Sequence, residues 1–168
     1  SEGDETALRK GELLLREGEV NSSLWILVSG GLRGYHDNGE RETTIWFVIP
    51  GEAAMSTWGY TGGRTSKINI AASSDSVVFR FSKEQSEKII SSSKTLGKWG
   101  RDLFLRLLLV TDDAFVDLSN PRAAKRYAAL QEKIPELLQS VPLKEIAGYL
   151  GVAPQSLSRI RAEMVKKK

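Results

Sequence analysis

Five polar side chains near the C-terminal end of the chain carry groups that can bind nucleic-acid bases or phosphates. Arginine has a planar guanidinium whose donors bind two acceptors at once, and glutamine and serine both donate and accept hydrogen bonds. Groups of this kind pair with base edges and with phosphate oxygens. The five residues are Gln155, Ser156, Arg159 and Arg161, with Lys144 a short distance before them.

The apolar residues around these side chains predict two short helices joined by a tight turn. Pro142 and Pro154 each stand where a helix begins, because proline at the first helical position loses no hydrogen bond. Gly151 follows the first helix, where a left-handed residue commonly ends a helix. Helical spacing gives each helix one inner face. These faces are Leu143, Ile146, Ala147 and Leu150 in the first helix, and Leu157, Ile160 and Met164 in the second.

This pattern predicts a helix-turn-helix, whose second helix enters the major groove of DNA with its N-terminal residues at the base edges. Arg159 is then the main base-reading candidate, and Gln155 and Ser156 lie within reach of bases or phosphates. Arg161 and Lys144 are expected to contact phosphates. Two short helices joined by a glycine-containing turn also occur in ordinary helical bundles, which is the alternative interpretation.

The distribution of charge favours the DNA-binding interpretation. Residues 120–168 contain 10 Lys and Arg against 4 Asp and Glu, a net charge of +6. Residues 1–119 contain 14 against 17, a net charge of −3. A basic segment joined to an acidic body is the distribution expected when one end of a protein contacts phosphates. A solvated basic face without a partner remains the alternative.

Composition excludes several other classes of protein. The 168 residues are 40% hydrophobic and 27% charged, which is typical of globular proteins, and no apolar run approaches the ~20 residues of a membrane span. The chain has no cysteine and one histidine, His36, so thiolate and imidazole-rich metal sites are excluded. We therefore expect a cytoplasmic protein with no metal, no resident cofactor and no enzymatic activity. In particular, a metal-dependent enzyme of the cupin type is not expected, because the chain lacks the histidines that such a site needs.

Residues 10–82 predict a set of short β-strands. Runs rich in Val, Ile, Leu and aromatic residues alternate with glycine-containing turns, a pattern typical of an antiparallel sandwich or barrel. The segment 37–40, Asp-Asn-Gly-Glu, predicts a hairpin between two of these runs. The predicted strands are Leu13–Leu15, Leu24–Ser29, Leu32–Tyr35, Thr43–Val48, Ile68–Ala72 and Val77–Phe81.

A helical region follows the strands. Ser82 and Gln85 have the spacing of a capping box, and a long helix is predicted from about Lys94 to Asp117. This helix is apolar on more than one side, so more than one surface must cover it. We expect one side to pack on the β-domain and the other on the same helix of a second subunit, whereas a fully buried core helix is the alternative. The predicted dimerisation residues, at nearly heptad spacing, are Leu96, Trp99, Leu103, Leu107 and Val110.

The predicted fold is therefore α+β, with an N-terminal antiparallel β-roll of jelly-roll type, a long dimerisation helix and a C-terminal helix-turn-helix domain. The predicted boundaries are 1–93 for the roll, 94–119 for the dimerisation helix and hinge, and 120–168 for the DNA-binding domain. This order of elements resembles the CRP/FNR family of bacterial transcription regulators, and in the C-terminal part the branch common in Bacteroidetes-type bacteria. The segments that carry the resemblance are Glu17-Gly18-Glu19, Leu24–Gly30, Arg126-Tyr127 and Pro142–Arg161.

The resemblance implies a homodimer that binds a palindromic DNA operator, with RNA polymerase among the candidate partners and no role for a membrane. It also implies a cyclic-nucleotide-binding-like roll that holds a small effector. The effector is a cyclic nucleotide or another small ligand, and a roll without any ligand is also compatible with the sequence. The alternative function is a ligand-sensing or interaction module with the same roll that does not act on DNA.

In the family, a Gly-Glu pair and a later Arg-Ser/Thr pair form the cassette that holds a cyclic nucleotide. The glutamate accepts a hydrogen bond from the ribose hydroxyl, and the arginine pairs with the phosphate. Gly51 and Glu52 match the first pair. Arg64 and Thr65 match the second pair when two extra residues are placed after them, whereas an ungapped register places residues 66–67, Ser-Lys, at those positions.

Overall fold

The computed structural model describes residues 3–120 and 122–166, and its N-terminal half is a roll of two antiparallel sheets. One sheet has the strand order β1-β8-β3-β6, and the other has the order β2-β7-β4-β5. The strands in these described residues are β1 (Asp4–Leu8), β2 (Leu13–Leu15), β3 (Leu24–Ser29), β4 (Leu32–Asp37), β5 (Glu42–Val48), β6 (Ala53–Ala54), β7 (Asn69–Ala72) and β8 (Ser76–Phe81).

The core of the roll is formed by alternate residues of the strands. Side chains alternate between the two faces of a strand, so every second residue of a strand points between the sheets. Leu15, Leu27, Leu32, Ile70 and Val78 are all buried there. The prediction of an antiparallel roll is confirmed, with strand ends within two residues of those expected. β1 and β6 were not predicted, because β1 is acidic and largely exposed and β6 has only two residues.

Seven helices complete the described part of the chain. The long helix confirms the expected one, and the helix after the roll begins with the predicted capping box, in which Ser82 Oγ accepts from the Gln85 N–H and Gln85 Oε1 accepts from the Ser82 N–H. The two short helices α1 and α5 were not predicted. The helices are α1 (Thr57–Gly62), α2 (Lys83–Ser91), α3 (Lys94–Ser119), α4 (Ala123–Lys133), α5 (Leu137–Ser140), α6 (Leu143–Tyr149) and α7 (Pro154–Val165).

The long helix α3 packs one of its sides on the roll. Leu103 is 6% exposed and lies in a cluster with Leu24, Ala53, Met55 and Tyr60. The opposite side of α3 is exposed along most of its length. Among the described helices, none is both long enough and apolar enough to span a bilayer.

The C-terminal helices form a second hydrophobic core around the predicted turn. Ile146, Leu150 and Leu157 are almost fully buried together, as the helical spacing predicted. Gly151 adopts a φ of +68°, the left-handed conformation that ends α6. Together with the roll and the long helix, these helices confirm the predicted α+β fold.

The roll and the C-terminal helices contact each other through β5 and α6. Gly148 of α6 lies directly against β5, and a Cβ at this position would stand 3.0 Å from the Glu42 carbonyl oxygen. The absence of a side chain at Gly148 therefore permits the close approach of α6 to the edge of the roll. Phe47 of β5 completes the contact, because it is buried within the core of the C-terminal helices.

Candidate nucleic-acid interface and effector cavity

Helix α7 presents a polar face to solvent over a buried apolar face. Leu157 is 0% exposed, which fixes the rotation of the helix about its axis. Gln155, Ser156, Arg159 and Arg161 are all exposed on its other sides. Within residues 3–120 and 122–166, neither arginine side chain forms a hydrogen bond or an ion pair. Their donors are therefore available to a partner outside the chain.

Lys144 has a different environment from the polar residues of α7. It lies on α6, and its Nζ is 3.8 Å from Glu42 Oε1 on β5. The Lys144 side chain is nevertheless 71% exposed, so this ion pair is weak. The structure therefore places Lys144 near the roll, beside an acidic group.

Arg126 on α4 holds the end of α6 in place. Its Nη2 donates to the Leu150 carbonyl oxygen at 2.6 Å, and its Nη1 donates to the Asn120 carbonyl oxygen. The last carbonyls of a helix lack partners within the helix, and the guanidinium supplies one here. Sequence reasoning used Arg126 only for the family resemblance and missed this role, because the pairing joins residues 24 positions apart.

A buried ion cluster joins the roll to α6. The Arg33 guanidinium of β4 lies 2.7 Å from Glu42, Nη2 to Oε2, and 3.6 Å from Glu145, Nε to Oε1. It also stacks on the Tyr35 ring, with 4.0 Å between Cζ and the ring centroid. Burial raises the pKa of the Glu145 carboxyl, although the Arg33 charge opposes this shift. This cluster was not predicted, since nothing in the local sequence shows that these residues meet.

An aromatic contact lies beside the ion cluster. The Phe47 ring of β5 and the Tyr149 ring of α6 have centroids 5.6 Å apart and are tilted by 48°. Burial also raises the pKa of the Tyr149 hydroxyl. The contact between the roll and the helix-turn-helix is therefore partly ionic and partly apolar.

A cavity of about 490 Å³ lies between the roll and α3. Strands β5 and β6 and helix α1 form one wall, and α3 forms the other. Apolar and aromatic side chains dominate the lining, with Glu52 among the few charged groups. The larger lining residues include Trp46, Phe47, Met55, Tyr60, Phe104 and Leu107.

The structure brings together only half of the predicted phosphate cassette. Gly51 and Glu52 line the cavity, and Glu52 Oε2 accepts a hydrogen bond from the Ile49 N–H at 3.1 Å. Arg64 and Thr65 are exposed after the end of α1, outside the cavity lining. In the other register Ser66 is buried, but its hydroxyl donates to the Ile68 carbonyl oxygen at 2.8 Å.

The predicted dimerisation residues fall into two groups. Leu103 is buried and Leu107 is half-buried, and both pack on the roll of their own chain. Leu96, Trp99 and Val110 are 37%, 43% and 37% exposed. The most exposed apolar residues of α3 are different ones, namely Leu105, Leu108, Leu109, Phe115 and Val116. Sequence spacing could not separate the sides of a helix that is apolar almost all round.

Comparison with known proteins agrees with this architecture. The profile of the family described as Cyclic nucleotide-binding domain matches residues 5–93. No curated protein matches the sequence significantly.

Solved structures match along almost the whole chain. FixK2 from Bradyrhizobium japonicum superposes with a TM-score of 0.82 at 21% identity, covering 98% of this chain and 85% of its own. A CooA mutant from Carboxydothermus hydrogenoformans gives 0.78 at 16% identity, covering 99% and 78%. A CRP/FNR family transcriptional regulator from Thermus thermophilus gives 0.75 at 15% identity, covering 98% and 87%. At these identities the likeness concerns the fold.

Proposed function

The chain belongs to the cyclic nucleotide-binding domain family and has the CRP/FNR fold, and from this premise we propose that it is a homodimeric, sequence-specific DNA-binding regulator of transcription. The observation that carries the proposal is the polar face of α7. Its arginines are exposed and have no partner in the described residues, while Leu157 anchors the opposite face in the core. This is the arrangement of a recognition helix.

Each polar residue of α7 has a proposed role that follows from its position. Arg159 lies more than one turn into the helix, where a guanidinium pairs with the two acceptors of guanine. Gln155 and Ser156 lie in the first turn, within reach of bases or phosphates. Arg161 contacts phosphate, and Lys144 joins it when DNA competes with Glu42 for the ammonium.

We assign the homodimer contact to the outer side of α3. An exposed apolar surface of this kind marks an interaction site in a folded protein. Leu105 and Leu109 are 55% and 60% exposed and lie one helical turn apart. Leu96, Trp99 and Val110 remain proposed interface residues, but they lie on the seam of Leu103 and Leu107 and not on the side of Leu105 and Leu109.

A two-fold dimer places two recognition helices on one face of the DNA. Such helices lie ~34–36 Å apart when they read successive major grooves, so the operator is a palindrome. RNA polymerase is a candidate partner of the DNA-bound dimer. An effector controls binding only if it has different affinities for the dimer states.

A DNA-selection experiment with the purified chain tests the proposal. The protein is incubated with a random-sequence DNA library at fixed salt, with and without cyclic AMP, and the bound fraction is sequenced. We expect enrichment of a palindromic sequence, and we expect binding to weaken steeply as salt rises because phosphate contacts release counterions. The matched control is the double variant Arg159→Ala/Arg161→Ala, which removes both arginines from α7 and leaves its buried face intact.

The selections with and without cyclic AMP distinguish the DNA-binding regulator from the ligand-sensing module that does not act on DNA. Equal enrichment with and without cyclic AMP supports a DNA-binding dimer that does not need this nucleotide. Enrichment only with cyclic AMP supports the dimer and assigns the nucleotide to the roll. Non-palindromic binding equal to that of the double variant, with little dependence on salt, contradicts the proposal and favours the ligand-sensing module.

A further inference from the structure

We propose that the cavity between the roll and α3 binds an uncharged, apolar small molecule. The cavity has a volume of about 490 Å³, within the range of sites that enclose a drug-sized ligand. Its lining is dominated by side chains such as Trp46, Met55, Phe104 and Leu107. Transfer of apolar surface from water to such a lining is favourable in proportion to the area buried.

The charges around the cavity disfavour an anionic ligand. A buried phosphate needs a paired cation, and Arg64, the arginine of the predicted cassette, is exposed outside the lining. Glu52 contributes a carboxylate to the wall, which repels a phosphate. Among the described residues that line the cavity, Arg106 carries the positive charge. Its side chain is exposed on α3 and accessible to water.

Two polar groups of the cavity wall have partners within the chain. Tyr60 lines the cavity, and its hydroxyl lies 2.9 Å from Ser86 Oγ in a buried hydrogen bond. The Glu52 carboxylate accepts from the Ile49 N–H. An apolar ligand leaves both of these contacts intact.

A dimer contact through Leu105 and Leu109 does not fill this cavity. These two residues are absent from its lining, whereas the exposed Leu108 and Val110 belong to it. Leu103 and Phe104 contribute the opposite, roll-facing side of α3. A second subunit that packs on Leu105 and Leu109 therefore leaves the roll-facing wall available, and one that also packs on Val110 contacts the cavity lining.

The regulatory meaning of this site rests on the proposed function. Phe47 forms part of the cavity wall and also part of the core of the C-terminal helices, where it contacts Tyr149. A ligand that displaces the Phe47 ring therefore alters the packing under α6. Ligand occupancy and DNA binding are nevertheless measured separately, so that the two proposals can fail independently.

The test is a fluorescence titration of the full chain with N-phenyl-1-naphthylamine, a neutral aromatic probe. We expect saturable binding that excess cyclic AMP does not displace. Thr61→Trp and Thr111→Trp place an indole at exposed positions on the two walls of the cavity, and each should weaken binding by about tenfold or more. Thr65→Trp is the matched control at an exposed position outside the lining and should leave binding unchanged.

Three results would overturn the proposal: no saturable binding by the wild type, unchanged binding in both cavity variants, or displacement of the probe by cyclic AMP. Two variants on opposite walls are used so that a folding defect in one does not decide the outcome. DNA binding is measured on the same preparations. Probe binding without DNA binding supports the proposed cavity site and contradicts the proposed function. DNA binding without probe binding supports the proposed function and contradicts the cavity site.

Discussion

The Glu145 carboxylate on α6 lies 3.6 Å from the Arg33 guanidinium on β4, Oε1 to Nε, across the contact between the helix-turn-helix and the roll. Arg33 already has a closer partner in Glu42, at 2.7 Å. Glu145 is therefore the second carboxylate on one buried cation, and its Oε2 has no hydrogen-bond partner among the described residues. This geometry makes the charge of Glu145 costly to bury.

The first prediction concerns the pH dependence of stability. Because burial raises the pKa of Glu145 above its ordinary 4.5, the Glu145 carboxyl is protonated to a greater extent in the folded chain than in the unfolded chain just above that pH. The contribution of Glu145 to stability therefore falls as pH rises from 4.5 to the raised pKa, and then stays constant. Glu145→Gln should remove this fall, as measured by urea unfolding at a series of pH values.

The matched control for this prediction is Glu132→Gln, which changes an exposed glutamate of α4. It should leave the pH profile of the wild type unchanged. If Glu145→Gln shows the same decline in stability as the wild type over this pH range, the assignment of the effect to Glu145 is wrong.

The second prediction concerns Phe47, which joins the roll to the helix-turn-helix. Phe47 is 7% exposed, and truncation of a buried phenylalanine typically costs about 3–5 kcal/mol. Phe47→Ala should therefore lower the free energy of unfolding by an amount of this order. Phe115→Ala, at a residue 73% exposed in the single chain, is the control and should change the stability of the monomer little. Equal losses in the two variants, measured under monomeric conditions, would contradict the packing described for Phe47.

The third prediction concerns the oligomeric state. Leu105→Glu/Leu109→Glu places two charges on the outer side of α3, so the dimer should dissociate because the carboxylates would be buried without partners. Light scattering coupled to size-exclusion chromatography measures the mass. Val20→Glu adds one charge at a residue of the roll that is 58% exposed, and it should leave the dimer intact. A double variant that stays dimeric would place the interface elsewhere.

The fourth prediction concerns base recognition. Arg159→Ala should relax specificity at one base pair in each half-site, a loss of ~1–3 kcal/mol of discrimination for a bidentate pair with guanine. Selection followed by competition binding measures this loss. Arg9→Ala removes an exposed arginine from the roll and should leave the operator preference unchanged. Wild-type preference in the Arg159 variant would show that another residue reads that base.

Local patterns were enough to predict most of the fold. The strands of the roll are short apolar runs between turns, and the inner faces of α6 and α7 follow helical spacing through Ile146, Leu150 and Leu157. The exposed positions of Arg159 and Arg161 follow from the same spacing, because the residues that pack inward determine which residues face solvent.

The remaining features depend on contacts that are distant in sequence. Arg33 lies in an ordinary strand pattern, and only the approach of α6 reveals that it is buried beside Glu145. The position of Arg64 depends on α1, a short helix that was not predicted, so the two registers of the cassette could not be distinguished. The sides of α3 were ambiguous for a similar reason, since only the folded roll shows that it covers Leu103.

The two hydrogen bonds of Arg126 have a mechanical consequence. One reaches the Asn120 carbonyl just after α3, and the other reaches the Leu150 carbonyl at the end of α6. A single side chain thus links the residue that ends α3 to the turn that precedes α7. A change in the direction of α3 is therefore transmitted to α6 and α7 through the guanidinium of Arg126, in addition to the contacts of α6 with the roll.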